Sequence, residues 1–157
     1  MQQITPFLWF DNNAEEAVSF YVSIFKNSKI IGAARYGDAG PGPKGSVMTM
    51  KFELDGLEFV ALNGGPIYTF SPAVSFVTNC ETQSEVDHLW DSLVEGGKPN
   101  QCGWLTDRFG LTWQIVPTIL PRLLQDPDRK KSARVMQAML RMVKLDIAEL
   151  NRAYNED

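Results

Sequence analysis

The chain repeats one order of predicted elements, and this repeat constrains its fold more than any other feature. Residues 4–10 form an apolar run, which is followed by capping residues at 11–13 and an apolar stripe at helical spacing. Residues 73–78 form a second apolar run, followed by a Thr-Gln-Ser-Glu capping box at 82–85 and a second stripe. Strand patterns come after each predicted helix. The sequence therefore predicts an α+β fold made by duplication of a βαβββ unit.

The clearest hairpin lies at residues 102–117, where a tight turn joins two predicted strands. Residues alternate along the second strand, so Trp113 and Ile115 share one face while Thr112 and Gln114 share the other. A polar face of this kind either lines a ligand cavity or belongs to an exposed hairpin edge. Both interpretations stay open from these residues alone.

A second hairpin is predicted in the first half of the chain, where an Asp-Gly dipeptide at 55–56 joins strands at 47–54 and 57–62. Glycine and proline concentrate just before it, at residues 37–45. Such a stretch serves either as a lid over a pocket or as a long hairpin connection. The sequence does not distinguish the two.

The residues after 117 are predicted to be helical, with segments at 119–125, 132–143 and 146–154. Apolar residues in the middle segment cover more than one helix face, so this helix is expected to be buried on two sides. One side would pack on its own chain and the other on a second copy. We therefore expect a homodimer.

Composition excludes several classes of function. The formal net charge of −4 gives no basic field for nucleic acid, and no apolar run is long enough to span a membrane. No signal peptide is visible, and two cysteines, Cys80 and Cys102, form no disulfide framework, which predicts a cytoplasmic protein with reduced structural thiols. The single histidine, His88, lies off the second apolar stripe and is expected on the surface. Histidine-based catalytic triads and zinc sites are therefore not expected.

Three segments carry a resemblance to a known family. "FLWFDNNAEEAVSFYVSIF", "SFVTNCETQSEVDHLWDSL" and "CGWLTDRFGLTWQIVP" resemble the PhnB-like proteins of the vicinal oxygen chelate (glyoxalase/bleomycin-resistance/dioxygenase) superfamily. The tail "RVMQAMLRMVKLDIAEL" is also similar to this subgroup, whose members are often labelled 3-demethylubiquinone-9 3-methyltransferase-like. The resemblance implies paired βαβββ modules that form a cupped, mostly antiparallel sheet around a cavity, usually in a homodimer.

The resemblance also implies where a metal ion would bind in metal-using members of the superfamily. The ligand positions correspond here to Pro6 (or Thr5 after a shift by one residue), Ala61, Ser75 and Gln114. Only the amide of Gln114 is a fair ligand, whereas a divalent ion needs several strong donors. No glycine-rich turn follows residues 4–10, so S-adenosylmethionine is not expected to bind either. We expect no metal and no cofactor.

Three hypotheses about function stay open. The first is a metal-free protein that binds a small organic molecule in the sheet cavity. The second is an enzyme with lyase, isomerase or oxygenase-type chemistry, and the third is an assembly module that binds another protein through its dimer surface or tail. Flat tryptophan rings suit small apolar molecules, so Trp104 and Trp113 are the aromatic residues expected to contact a ligand. The predicted cavity residues are Asn63, Ser75, Cys102, Trp104, Thr112 and Gln114.

The predicted domain organisation follows from the same repeat. Residues 1–117 are expected to form one domain of the resembled superfamily, made of two modules at about 1–66 and 67–117. Residues 118–157 are expected to form a C-terminal helical extension.

Overall fold

A computed structural model describes residues 2–156 of the chain. These residues divide into two compact units, with the boundary between Phe70 and Ser71. The C-terminal helices belong to the second unit. No helix within residues 2–156 combines the length and the apolar character that crossing a membrane requires.

Both units have the same topology, which confirms the predicted duplication and the α+β class. In each sheet the first and last strands of the unit are parallel neighbours, and the other neighbours are antiparallel. The first sheet has the order β1-β4-β3-β2 and the second has the order β5-β8-β7-β6. The first unit contains β1 (Phe7–Phe10), α1 (Ala14–Ile24), β2 (Lys29–Arg35), β3 (Val47–Leu54) and β4 (Leu57–Asn63). The second contains β5 (Ser75–Cys80), α2 (Gln83–Val94), β6 (Lys98–Pro99), β7 (Trp104–Thr106), β8 (Thr112–Pro117), α3 (Ile119–Leu124), α4 (Arg129–Leu140) and α5 (Ile147–Asn155).

Strand boundaries differ from the predictions by more than one residue at three places. β1 begins three residues later than predicted, and β5 is shifted towards the C-terminus by two residues. The single strand predicted at residues 98–105 is divided into β6 and β7, because residues 100–103 turn between them. The Asp-Gly hairpin is confirmed, since Asp55 and Gly56 have φ angles of 49° and 79°, as a two-residue hairpin turn requires.

The two long sheet-covering helices begin in different ways. At α2, Thr82 Oγ1 accepts a hydrogen bond from the Glu85 amide at 3.2 Å, as the capping box predicts. At α1, Asn13 makes no side-chain capping bond. The Ala14 amide donates instead to Asn63 Oδ1 on β4, at 2.9 Å. The prediction that residues 11–13 supply the cap was therefore wrong, because a strand distant in sequence provides it.

The tail helices pack around a small apolar cluster in the second unit, whose buried members are Leu120, Val135, Leu145 and Leu150. α4 begins earlier and ends earlier than predicted, and Val135 is its one buried residue. Its opposite side exposes Met136 and Leu140, which are 40% and 58% accessible. The chain itself covers one side of α4, as predicted, whereas burial of the other side by a second copy stays a prediction.

Candidate functional site

The predicted site residues of the second unit lie on one face of its sheet. Strand register places Ser75 beside Thr112, and it places Trp104 beside Gln114. The alternating residues Trp113 and Ile115 point to the opposite face, where α2 packs against β7 and β8. We call the face opposite α2 the polar face, and its residues are Ser75, Val77, Asn79, Lys98, Trp104, Thr106, Thr112, Gln114 and Val116.

One hydrogen bond links two of the predicted residues on the polar face. Gln114 Nε2 donates to Ser75 Oγ at 2.9 Å. The bond reaches back along β8, because Gln114 pairs with Val77 and not with Ser75 in the register. The Gln114 side chain therefore extends towards the row that contains Thr112. Gln114 Oε1 has no hydrogen-bond partner among residues 2–156, so this acceptor is available to another molecule.

Thr112 has the most unusual environment on the polar face. Its side chain is almost fully buried, with 1% of the residue accessible. Thr112 Oγ1 has no hydrogen-bond partner among the residues that the structure describes. A buried hydroxyl without a partner costs roughly 1–3 kcal/mol, so such groups are rare and call for a physical explanation. A bound molecule with a polar atom beside Thr112 would supply that partner once the groups that cover Oγ1 move aside, and a buried water is the alternative partner.

The two tryptophans of the hairpin differ in their surroundings. Trp113 is only 3% accessible, its ring packs against Phe76, and its Nε1 donates to Asp107 Oδ2 at 2.9 Å. Alternation turns the Trp113 ring towards the core under α2, away from the polar face, so its contact with a ligand stays an untested prediction. Trp104 lies on the polar face and is half-buried, so part of its ring remains accessible.

The two cysteines lie in different environments. Burial raises the pKa of the Cys80 thiol, and the nearby Glu85 charge acts in the same direction although a hydrogen bond with Thr78 opposes them. Cys80 is therefore a poor thiolate nucleophile. The Cys102 amide donates to the Met142 carbonyl at 2.9 Å, which ties this residue to the tail segment after α4. Both thiols are free of disulfide bonds.

Asn63 lies in the first unit and its amide is occupied by the fold. Besides the bond from the Ala14 amide, Asn63 Nδ2 donates to the Val47 carbonyl at 3.1 Å. Strand parity places Asn63 with Ala61 on the face that α1 covers, and Ala61 is fully buried there. The sequence argument that put Asn63 on the inner face of a cup was therefore wrong in parity. The side chain instead fixes the start of α1.

A separate cavity of about 350 Å³ lies in the first unit, beside the start of α1 and the 37–45 loop. The loop closes on Tyr36, whose amide donates to the Ser46 carbonyl at 2.9 Å and whose hydroxyl donates to the Asn63 carbonyl at 2.5 Å. The loop is thus a hairpin connection that also borders a cavity. That it moves as a lid stays a prediction. The lining residues are Asp11, Asn12, Tyr36, Pro41, Gly42, Pro43, Ser46, Val47, Asn63, Gly64 and Gly65.

The donor set does not fit a divalent metal ion. Of the four positions that the resemblance implies, Ala61 is buried on the helix-covered face and carries no donor atom. Ser75 and Gln114 supply one hydroxyl and one amide, both neutral. Within residues 2–156, no three His, Cys, Asp or Glu side chains converge to hold an ion. Divalent ions bind where several charged or strong donors meet.

Sequence reasoning missed several residues of the polar face, among them Thr106 and Lys98. Register places Thr106 beside Thr112 and Lys98 beside Thr106, at the outer edge of the sheet. The hairpin contains the signal for Thr106, because counting outwards from a three-residue loop at 108–110 pairs Asp107 with Leu111 and Thr106 with Thr112. Lys98 carries no such signal, since the irregular residues 100–103 interrupt the strand.

Comparisons with known proteins agree with this architecture. A putative 3-demethylubiquinone-9 3-methyltransferase, PhnB protein, of Bacillus cereus is 36% identical, over 74% of this chain and 100% of that chain, with a TM-score of 0.69. A protein of Pseudomonas aeruginosa is 25% identical, over 74% of this chain and 98% of that chain, with a TM-score of 0.62. A genomically encoded fosfomycin resistance protein of Listeria monocytogenes shares the fold at 14% identity, over 80% of this chain and 98% of that chain, with a TM-score of 0.58. No curated protein matches the chain.

The paired βαβββ units and these structural neighbours define a protein of the vicinal oxygen chelate superfamily. Residues 2–116 match the sequence profile described as 3-demethylubiquinone-9 3-methyltransferase. The chain belongs to this PhnB-like family. All six predicted cavity residues lie within the matched range, whereas α3 to α5 lie outside it.

Proposed function

We propose that the chain binds a small organic molecule on the polar face of its second sheet and that it does so without a divalent ion. The unpartnered hydroxyl of buried Thr112 is the single observation that carries this proposal. An unsatisfied buried polar group calls for an explanation, and a bound molecule that satisfies it is the explanation we propose here. Ser75, Trp104 and Gln114 surround the same part of the sheet and supply further contacts.

The chemistry of the polar face supports binding more than catalysis. Ser75 and Gln114 offer hydroxyl and amide groups, and Trp104 offers a flat ring for an apolar or aromatic surface. The residues that register places on this face include no carboxylate, imidazole or thiol that would serve as a general acid or base. A few placed polar groups with an aromatic surface are typical of small-molecule sites.

Methyl transfer is not part of the proposal, although the family name contains it. The usual methyltransferase holds its cofactor on a glycine-rich turn after the first strand of a doubly wound sheet. Here β1 leads within three residues into α1, whose start is held by Asn63. Both sheets also have mainly antiparallel neighbours.

Native mass spectrometry of freshly purified protein tests the proposal. We expect a co-purified small molecule on the wild-type chain and its loss in the variant Gln114→Ala. The matched control is Gln137→Ala, because Gln137 is exposed on α4 in the tail. The control should retain the molecule. Equal retention by both variants, or a molecule that leaves only on addition of a metal chelator, would contradict the proposal.

The assembly and domain organisation belong to the same proposal. A homodimer is supported by the exposed apolar side of α4, where Met136 and Leu140 lie one turn apart beside exposed Val143. Two free thiols, Cys80 and Cys102, support a reducing, cytoplasmic location. We also retain the proposed division into a two-module domain ending at residue 117 and a helical extension.

A further inference from the structure

The polar face contains a row of hydroxyl groups that ends at a lysine. Register places Ser75, Thr112, Thr106 and Lys98 side by side on β5, β8, β7 and β6. We call these four residues the hydroxyl row. Neighbouring strands lie about 4.8 Å apart, so the row spans about 14 Å across the sheet. Three hydroxyls and one ammonium group therefore point to the same side of one sheet.

The hydroxyl hydrogens of the row are not used in hydrogen bonds within the described chain, so they can be donated to a bound acceptor. Ser75 Oγ accepts from Gln114, and Thr106 Oγ1 accepts from Asn100 Nδ2 at 3.4 Å, so the hydroxyl hydrogens of both residues are not used by these bonds. Thr112 Oγ1 has no partner at all among residues 2–156. Hydroxyl hydrogens and ammonium hydrogens are the donors that bind negatively charged oxygen atoms.

Lys98 is the charged residue that the strand register places on the polar face, so the charge of this face is positive. Lys98 is exposed and forms no ion pair with the described residues. No aspartate or glutamate occupies a registered position on this face. The chain as a whole carries a net charge of −4, so a local face with a cation and no carboxylate differs from the average surface. An anionic group would be attracted to it.

The position of Trp104 indicates the rest of the ligand. Trp104 lies two residues before Thr106 on β7, on the same face and about 7 Å away along the strand. A flat ring stacked on the Trp104 indole would place a substituent near Thr106 and Lys98. This distance is close to the length of a benzene ring with one carboxylate.

We infer that the ligand of the polar face is a flat organic molecule with an anionic oxygen group, and that the hydroxyl row and Lys98 bind this group. The inference rests on the proposed function, because it concerns the ligand of the same face. Thr112 would donate to the anionic oxygen from within the row, and Lys98 would neutralise its charge from the edge.

Amide NMR spectra of the wild-type chain, titrated separately with benzoate and with benzamide, test this inference. The two probes share a ring and differ in the charge of one group. We expect benzoate to bind about threefold to fivefold more tightly, which is the size expected for one exposed ion pair. The indole signal of Trp104 should shift with both probes. Raising the salt concentration should lower the affinity for benzoate and leave the affinity for benzamide unchanged.

The variant Lys98→Gln isolates the charge. It should remove the preference for benzoate and keep the affinity for benzamide. The matched control is Lys130→Gln, because Lys130 is exposed near the start of α4 and should not affect either probe. Lys98 is exposed, so its replacement should not prevent folding.

Three results would overturn the inference. Equal affinity for the two probes would show that the face does not select an anion, while the proposed binding function would stand. A preference for benzoate that persists in Lys98→Gln would place the anion elsewhere. Absence of any shift at Trp104 with either probe would also reject the ligand class. Native mass spectrometry of the purified chain would then decide the proposed function independently.

Discussion

Replacing Thr112 by valine is the perturbation that most directly addresses the unusual feature of the polar face. Valine has nearly the shape of threonine, so Thr112→Val removes the hydroxyl and leaves the packing in place. In the wild-type chain without ligand, this hydroxyl is buried and unpartnered. A buried polar group without a partner costs roughly 1–3 kcal/mol. We therefore expect Thr112→Val to stabilise the ligand-free protein by about 1–2 kcal/mol.

Thermal unfolding by calorimetry measures this effect on protein that has been refolded to remove small molecules. For a chain of this size, 1 kcal/mol corresponds to a change in melting temperature of roughly 2–4 °C. We therefore expect a rise of about 3–6 °C for Thr112→Val. The same variant should lose affinity for benzoate, because it lacks the donor in the centre of the hydroxyl row.

Thr78→Val is the matched control in the same sheet. Thr78 lies on β5, and its Oγ1 donates to the Gln114 carbonyl at 3.1 Å. Removing a hydroxyl that has a partner should destabilise the protein by about 0.5–1.5 kcal/mol. The two substitutions should therefore have opposite signs. If Thr112→Val lowers the melting temperature as much as Thr78→Val, the Thr112 hydroxyl has a partner in solution and the reasoning about the polar face fails.

Two further predictions concern stability and assembly. Asp107 accepts hydrogen bonds from the amides of Phe109 and Leu111 and from the Trp113 indole while only 2% accessible, so Asp107→Ala should cost about 3–5 kcal/mol in chemical denaturation. Asp107→Asn should cost less, because it keeps one oxygen acceptor, and equal costs would contradict this account of the turn. Light scattering should give a dimer at micromolar concentration, and Leu140→Glu should shift it to a mass near 17.6 kDa. A wild-type monomer would reject the dimer, and an unchanged mass for the variant would place its interface elsewhere.

Local signals explain why much of the fold could be predicted. The Asp55-Gly56 turn requires positive φ angles within two residues, and the Thr82 cap acts within the first turn of its own helix. The hairpin at residues 102–117 is similarly short, and Gly110 has the positive φ angle of 90° that its turn needs. Such features depend on neighbours in the sequence. The strands and helices of both modules could therefore be predicted from the sequence without knowledge of tertiary contacts.

Long-range contacts explain the errors. Asn63 accepts a hydrogen bond from the Ala14 amide at the start of α1. The two residues are 49 positions apart, so no local sequence pattern identifies this contact. Ala61 was assigned to a cavity by analogy with a ligand position, whereas the register turns it towards the helix.

The candidate site was predictable in part for the same reason. Alternation along β8 separated Thr112 and Gln114 from the core residues Trp113 and Ile115. The bond between Gln114 and Ser75 joins residues 39 positions apart and depends on the parallel pairing of β5 with β8. Whether the Thr112 hydroxyl has a hydrogen-bond partner depends on three-dimensional packing, so it could not be predicted from sequence patterns.

A crystal structure of the protein purified without refolding tests the central claim most directly. Our account predicts electron density for a flat organic molecule over Trp104, with a polar atom within hydrogen-bond distance of Thr112 Oγ1 and no metal ion beside Gln114. A water molecule alone at Thr112, together with a ligand in the cavity of the first unit, would contradict the account.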